Sequence, residues 1–134
     1  MKWLVGCFML IPGLGFCAEL PYTNIDNAQL KTLLAQGMAL YDVRRPEEWR
    51  QTGVVAGSQK LTFVDAAGRL NPEFLPRFSA EIDKSTPVIL ICRTGSRTST
   101  LARALAEQLG YTRVYNVRHG ITGWIAESQA VVKD

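Results

Sequence analysis

An α/β domain is the fold class this sequence predicts, and three observations carry that expectation. Short strand-like runs alternate along the chain with segments of helical spacing. One run, Val88-Ile89-Leu90-Ile91, is continuously apolar, as a central strand covered on both faces must be. A turn-forming stretch and a helix with leucines four apart follow it directly. The length, 134 residues, suits one domain, and no internal repeat or low-complexity segment interrupts it.

The elements can be justified in order. Asp26-Asn27-Ala28-Gln29 reads as a capping box opening a short helix, with Leu30, Leu33 and Leu34 on its apolar face and Gly37 as its stop. Residues 39–43 form a short apolar run ending in Asp42-Val43-Arg44, expected to be a buried strand. Pro46-Glu47-Glu48-Trp49 suits a first helical turn, with proline pre-set for the helix and two acids at its positive end. Residues 60–64 are expected to form another strand. Asn71-Pro72-Glu73 opens a further helical piece through Phe78, which Pro76 should limit.

After the apolar run comes Cys92, then the turn formers Thr94, Gly95 and Ser96. Residues 98–109 have helical spacing, with Leu101, Leu105 and Leu109 four apart, and Gly110 closes the segment. Residues 113–117 are a last expected strand, and residues 120–124 a short helix or turn. Cys92 therefore falls at the carboxyl end of a strand and the amino end of a helix, where open α/β sheets bind ligands.

The first 18 residues are read apart from that domain. Lys2 supplies a positive start, residues 3–16 are uncharged and mostly apolar, and small Cys17 and Ala18 precede Glu19. That is the layout of a secretory signal peptide, cut within a residue or so of Ala18. The run is shorter than the roughly 18 residues of a spanning helix, and Pro12, Gly13 and Gly15 would break it. Leu14-Gly15-Phe16-Cys17 suggests a lipid anchor instead, but Phe16 stands where such a box takes Gly or Ala. The division expected is a signal over residues 1–18 and a domain over residues 19–134, periplasmic or secreted.

Cleavage there removes Cys7 and Cys17 and leaves Cys92 as the one cysteine of the domain. With His119 the only histidine, a cysteine-cluster metal site is excluded, and no cofactor is expected. Residues 19–134 carry 14 basic and 12 acidic residues, a balance that does not suggest nucleic acid.

The chemistry is concentrated in Cys92-Arg93-Thr94-Gly95-Ser96-Arg97. A thiol reacts as thiolate, and helix N-termini and cations favour that form. A tight loop can turn backbone N–H groups inward as a nest for anions, with Gly95 supplying the backbone freedom. The planar fork of Arg97 can fix an anionic substrate. The bland alternative is an inert core cysteine ending a buried strand. The Gly-containing loop, two arginines and the helix together favour catalysis.

This loop, the Asp42-Val43-Arg44 strand end and the Gly53-Val54-Val55-Ala56-Gly57-Ser58 segment resemble a single-domain rhodanese. So do Gly110-Tyr111 and Gly120-Ile121-Thr122-Gly123-Trp124, and the likeness covers residues 23–125. It implies a parallel five-stranded sheet flanked by helices, with Cys92 at the base of a six-residue active loop. It implies a sulfurtransferase in which Cys92 takes sulfane sulfur from a small-molecule donor such as thiosulfate, and passes it to cyanide or a thiol. A protein persulfide could also serve as partner. Backbone N–H groups from Arg93, Thr94, Gly95, Ser96 and Arg97 would hold the outer sulfur or the donor's oxygens. The Arg97 side chain would bind substrate or brace the loop. Val54 stands where family members often have His, and His119-Gly120 where they often have a Gly pair. Neither position is expected to do chemistry.

Asp42 is read as structural, bonded to loop backbone or to an arginine, with catalytic acid the lesser reading. Arg44 and Arg45 could line the mouth and attract anions, or form a solvated face. His119 is read as a surface turn, and Trp49 and Trp124 as packing. Cysteine-dependent phosphatases and arsenate reductases share a Cys-loop-Arg cradle, but the tyrosine-phosphatase pattern has five residues between the two, and here there are four. The other alternative is a non-enzymatic persulfide carrier or interaction module.

Overall fold

Val88–Ile91 forms strand β4, and all four of its residues are buried, as a continuous apolar run requires. The computed structural model describes residues 19–133, so residues 1–18, where a signal is expected, lie outside the described residues. Four further strands, β1 (Thr23–Ile25), β2 (Ala39–Asp42), β3 (Gln59–Lys60) and β5 (Val114–Val117), join β4 in one sheet of order β1-β5-β4-β2-β3. Every pairing is parallel. Helices α1 (Asn27–Ala35), α2 (Pro46–Thr52), α3 (Phe74–Glu81), α4 (Ser96–Glu107) and α5 (Gly120–Ala126) complete the α/β domain.

Side chains alternate across a strand, so β4 feeds two cores. Val88, Leu90 and then Cys92 pack with Phe74 and Phe78 of α3 and Leu101 and Leu105 of α4. Ile89 and Ile91 pack on the opposite face with Leu30 of α1 and Ile121 and Trp124 of α5. The aromatic stack of Phe74 on Phe78, centroids 5.4 Å apart, and the edge contact of Tyr41 with Phe78 at 5.0 Å fill the first core. Trp49 and Trp124 are buried, as packing residues should be.

The capping box is present in both directions: the Gln29 N–H donates to Asp26 Oδ1 at 2.8 Å, and the Asp26 N–H donates to Gln29 Oε1 at 2.9 Å. Pro76 does not limit α3, which runs on to Glu81, because a proline in the first turn costs no hydrogen bond there. The strand expected over residues 60–64 is a correction. The ladder holds only Gln59 and Lys60, and beyond them the chain bonds to β2 discontinuously, through the Leu61 N–H to Asp42 O and the Phe63 N–H to Val43 O. Strand β1 went unseen in the periodicity, since Thr23-Asn24-Ile25 has no apolar run.

Candidate active site

Cys92 sits immediately after β4, and α4 begins four residues later at Ser96. The reversal needs Gly95 at φ 96°, a left-handed conformation that also brings its N–H to 3.2 Å from Cys92 Sγ. A side chain at Gly95 would strike the Arg118 carbonyl. The sulfur's second partner is Thr98 Oγ1 at 3.3 Å. Cys92 has no exposed surface, and Gly95 is buried with it, whereas Arg93, Thr94 and Ser96 form the outer rim of the loop.

The amino end of α5 braces the loop from the other side. The Ile121 and Thr122 amides donate to Cys92 O and Arg93 O at 2.9 and 3.0 Å. Gly120 passes so close to those two carbonyls that a Cβ would overlap them, and its φ is 60°. His119 stands exposed before that helix, as a surface turn.

Arg97 lays both terminal nitrogens on Glu48 of α2, at 2.8 and 2.7 Å. Such a bidentate fork is directional and strong. Burial works to raise the Glu48 carboxyl, but the Arg97 hydrogen bonds, the Arg45 backbone N–H and the two guanidinium charges outweigh it and hold the carboxyl at about 2. The Glu48 hydrogen bonds in turn raise Arg97 above its ordinary value, against burial. Arg97 therefore ties the loop to α2, and its charge is largely matched before any ligand arrives. It also borders a mostly apolar groove of about 510 Å³ with Phe63, Leu70, Leu75 and Leu101.

Arg44 is not at the mouth and is not solvated. It is wholly buried, and its Nε and Nη2 meet the Asp42 carboxylate at 2.9 and 2.8 Å. Its remaining donors reach Thr52 Oγ1 and the Gly53 carbonyl. Trp49 Nε1 donates to Asp42 Oδ1 at 3.0 Å. A buried charge needs such full pairing, so Asp42 and Arg44 fasten β2 to α2 beneath the site. Arg45 is half-buried and pairs with Glu47 and Glu48. Glu48, Thr98 and Asn116 are site neighbours that no local sequence pattern marks. Thr98 Oγ1 donates to Asn116 Oδ1, and Asn116 Nδ2 to Asn24 Oδ1.

A cysteine at the end of a central parallel strand, inside a glycine-turned loop that runs into a helix, defines a class of α/β thiol proteins. The rhodanese-like domain family matches residues 26–127, and the chain belongs to that family. A thiosulfate sulfurtransferase of Tolumonas auensis is 30% identical over 104 residues, covering 77% of this chain and 88% of its own. A sulfurtransferase of Allochromatium vinosum is 31% identical over 111 residues, covering 81% and 94%. Among solved structures, a protein of M. tuberculosis superposes with a TM-score of 0.66 at 29% identity, over 81% of this chain and 96% of its own. The parallel sheet and flanking helices are thus the rhodanese-like fold.

Proposed function

We propose that the protein is a sulfurtransferase that moves sulfane sulfur from a donor such as thiosulfate to a thiophilic acceptor, cyanide or a thiol, through a persulfide on Cys92. The observation that carries this reading is the placement of Cys92 Sγ inside the six-residue loop, with the Gly95 N–H aimed at it. Relatives named thiosulfate sulfurtransferase and sulfurtransferase support the transfer of sulfur in general.

In the first half-reaction the Cys92 thiolate attacks the outer sulfur of thiosulfate. An S–S bond forms, the donor's S–S bond breaks, and sulfite leaves with the electron pair. In the second, the acceptor attacks the persulfide's outer sulfur and Cys92 departs again as thiolate. Loop N–H groups would hold the transferred sulfur. With Arg97 engaged by Glu48, the exposed Arg93 is the loop cation left to meet the donor's oxygens. The short loop encloses a sulfur atom better than a phosphoryl group, whose charge spreads over three oxygens.

We also propose export, with the signal removed near Ala18, on the layout of residues 1–18. Intact mass after thiosulfate exposure tests both ideas. The expected result is a chain starting near Glu19 that gains one sulfur and loses it to cyanide. Wild type should form thiocyanate, Cys92→Ser none, and p-nitrophenyl phosphate should be hydrolysed poorly. Cys92-dependent phosphatase activity without sulfur transfer would overturn the assignment.

A further inference from the structure

Thr98 follows Arg97 on α4 and is wholly buried. Its hydroxyl has three neighbours: Cys92 Sγ at 3.3 Å, Gly95 O at 3.3 Å and Asn116 Oδ1 at 2.5 Å. A hydroxyl carries one proton, so only one of the three can receive it. The surroundings of Asn116 decide which. Its Nδ2 donates to Asn24 Oδ1 at 2.9 Å and faces Gly95 O at 3.4 Å. Two oxygens on the amino side leave the amide oxygen turned to Thr98, and an amide oxygen can only accept, so the Thr98 hydroxyl donates to it. Cys92 Sγ is then offered a lone pair of Thr98. That suits a thiol, which donates, and not a thiolate, which needs donors.

We propose that Asn116, oriented by Asn24, is a positioning residue that keeps the Thr98 hydroxyl turned away from Cys92 Sγ while the sulfur is a thiol, and so sets the pH range in which Cys92 becomes nucleophilic. The inference rests on Cys92 being the reactive sulfur. On ionisation the S–H proton leaves to a solvent base and its electron pair stays on sulfur. The Thr98 O–H then rotates from Asn116 Oδ1 to the sulfur, with no bond made or broken at Thr98. Asn116 Oδ1 loses its donor, and that loss opposes ionisation. When a persulfide forms, the inner sulfur is uncharged and the hydroxyl returns to Asn116.

The charged groups around the sulfur are paired with one another or exposed. Arg97 of α4 is matched by Glu48 of α2, and Asp42 and Arg44 at the end of β2 are paired with each other. Arg93 in the loop and Arg118 and His119 after β5 are exposed. No charged side chain is hydrogen-bonded to Thr98 or Asn116 among the described residues.

The test is the rate of Cys92 alkylation by iodoacetamide against pH, read by peptide mass spectrometry on the folded chain. Thr98→Val should move the midpoint to higher pH and slow alkylation at neutral pH about tenfold, the scale of a lost hydrogen bond to a charged group, and Thr98→Ser should restore it. Asn116→Val frees the hydroxyl for the sulfur and should shift the midpoint the other way, with alkylation about threefold faster at neutral pH. Asn24→Ala, at a partly exposed strand, releases the amide to turn and should act in the same direction. A merely structural role would not produce opposite signs. The proposal is overturned if Thr98→Val leaves the profile unchanged, or if Asn24→Ala leaves it unchanged or shifts it to higher pH. Alkylation needs no sulfur donor, so a failure of thiocyanate formation in the wild type would sink the sulfurtransferase reading and leave this measurement standing.

Discussion

The carbonyl of Cys92 accepts the amide N–H of Ile121 at 2.9 Å, so the backbone at Cys92 is held by a helix 29 positions further along the chain. That contact exists only because Gly120 lets α5 come up against the Cys92 and Arg93 carbonyls. The first prediction follows. Gly120→Ala combines a left-handed φ with a Cβ that has no room among backbone atoms, and neither can yield cheaply. It should abolish sulfur transfer and lower the melting temperature. Gly57→Ala is the control, since its φ is also positive but nothing lies within 4 Å of its Cβ. There the cost should be about 1 kcal/mol, with activity kept. Thiocyanate formation and thermal unfolding on both variants check the contrast.

The Arg97–Glu48 fork gives a second, pH-dependent prediction. The folded Glu48 carboxyl is held at about 2, against 4.5 ordinarily. A depressed carboxyl contributes stability that is complete above its unfolded value and is lost as pH falls through its folded value. The window is therefore from about 4.5 down to about 2. The loss should be on the order of 2–3 kcal/mol, because Glu48 is nearly buried and little screened. Urea unfolding across that window should show Glu48→Gln less stable than wild type at neutral pH and flatter in acid. Equal acid slopes in the two proteins would refute it.

The buried Asp42–Arg44 pair supplies a third. Removing one partner leaves an uncompensated charge in the core, at roughly 3–5 kcal/mol. Arg44→Met should therefore destabilise strongly, as should Asp42→Ala, which also strands Trp49 Nε1. The double change Asp42→Leu with Arg44→Met should be milder than the sum of the singles. If Arg44 instead drew anions to the mouth, Arg44→Met would raise KM for thiosulfate and leave unfolding alone.

Sequence reading reached the parts of this fold whose causes are local. The Asp26–Gln29 box and the apolar Val88–Ile91 run are decided by neighbours a few positions away, and both appear as expected. So does the strand-loop-helix unit that positions Cys92, although α4 opens at Ser96 and not at residue 98. What was not legible depends on distant partners. Strand β1 exists because β5 pairs with it, 92 positions away in sequence. Glu48 meets Arg97 49 positions on, and Asn116 meets Thr98 18 positions back. Nothing local marks any of these as site residues. Arg44 misled for a related reason, since a charged residue at a strand end reads as solvated until its Asp42, Thr52 and Gly53 partners are seen around it.

The complete burial of Cys92 leads to the last prediction. A sulfur at the base of a tight ring can meet a small attacker or a single transferred atom, but a broad one must first pass the rim of Arg93, Thr94 and Ser96. Reactivity should therefore fall with reagent size more steeply than for a free thiol. The measurement is the ratio of modification rates by methyl methanethiosulfonate and by a bulky aromatic disulfide, taken relative to glutathione. That ratio should be larger for Cys92 by about tenfold or more, a barrier on the scale of about 1.4 kcal/mol. Loosening the brace should reduce the selectivity, so Arg97→Ala should bring the ratio toward that of glutathione. His119→Ala should leave it unchanged, because that side chain stands on the exposed turn before α5. If both reagents reacted with wild type in the same proportion as with glutathione, the loop would not be a closed ring around the sulfur. If His119→Ala rather than Arg97→Ala relaxed the ratio, the Arg97–Glu48 fork would not be what closes the loop.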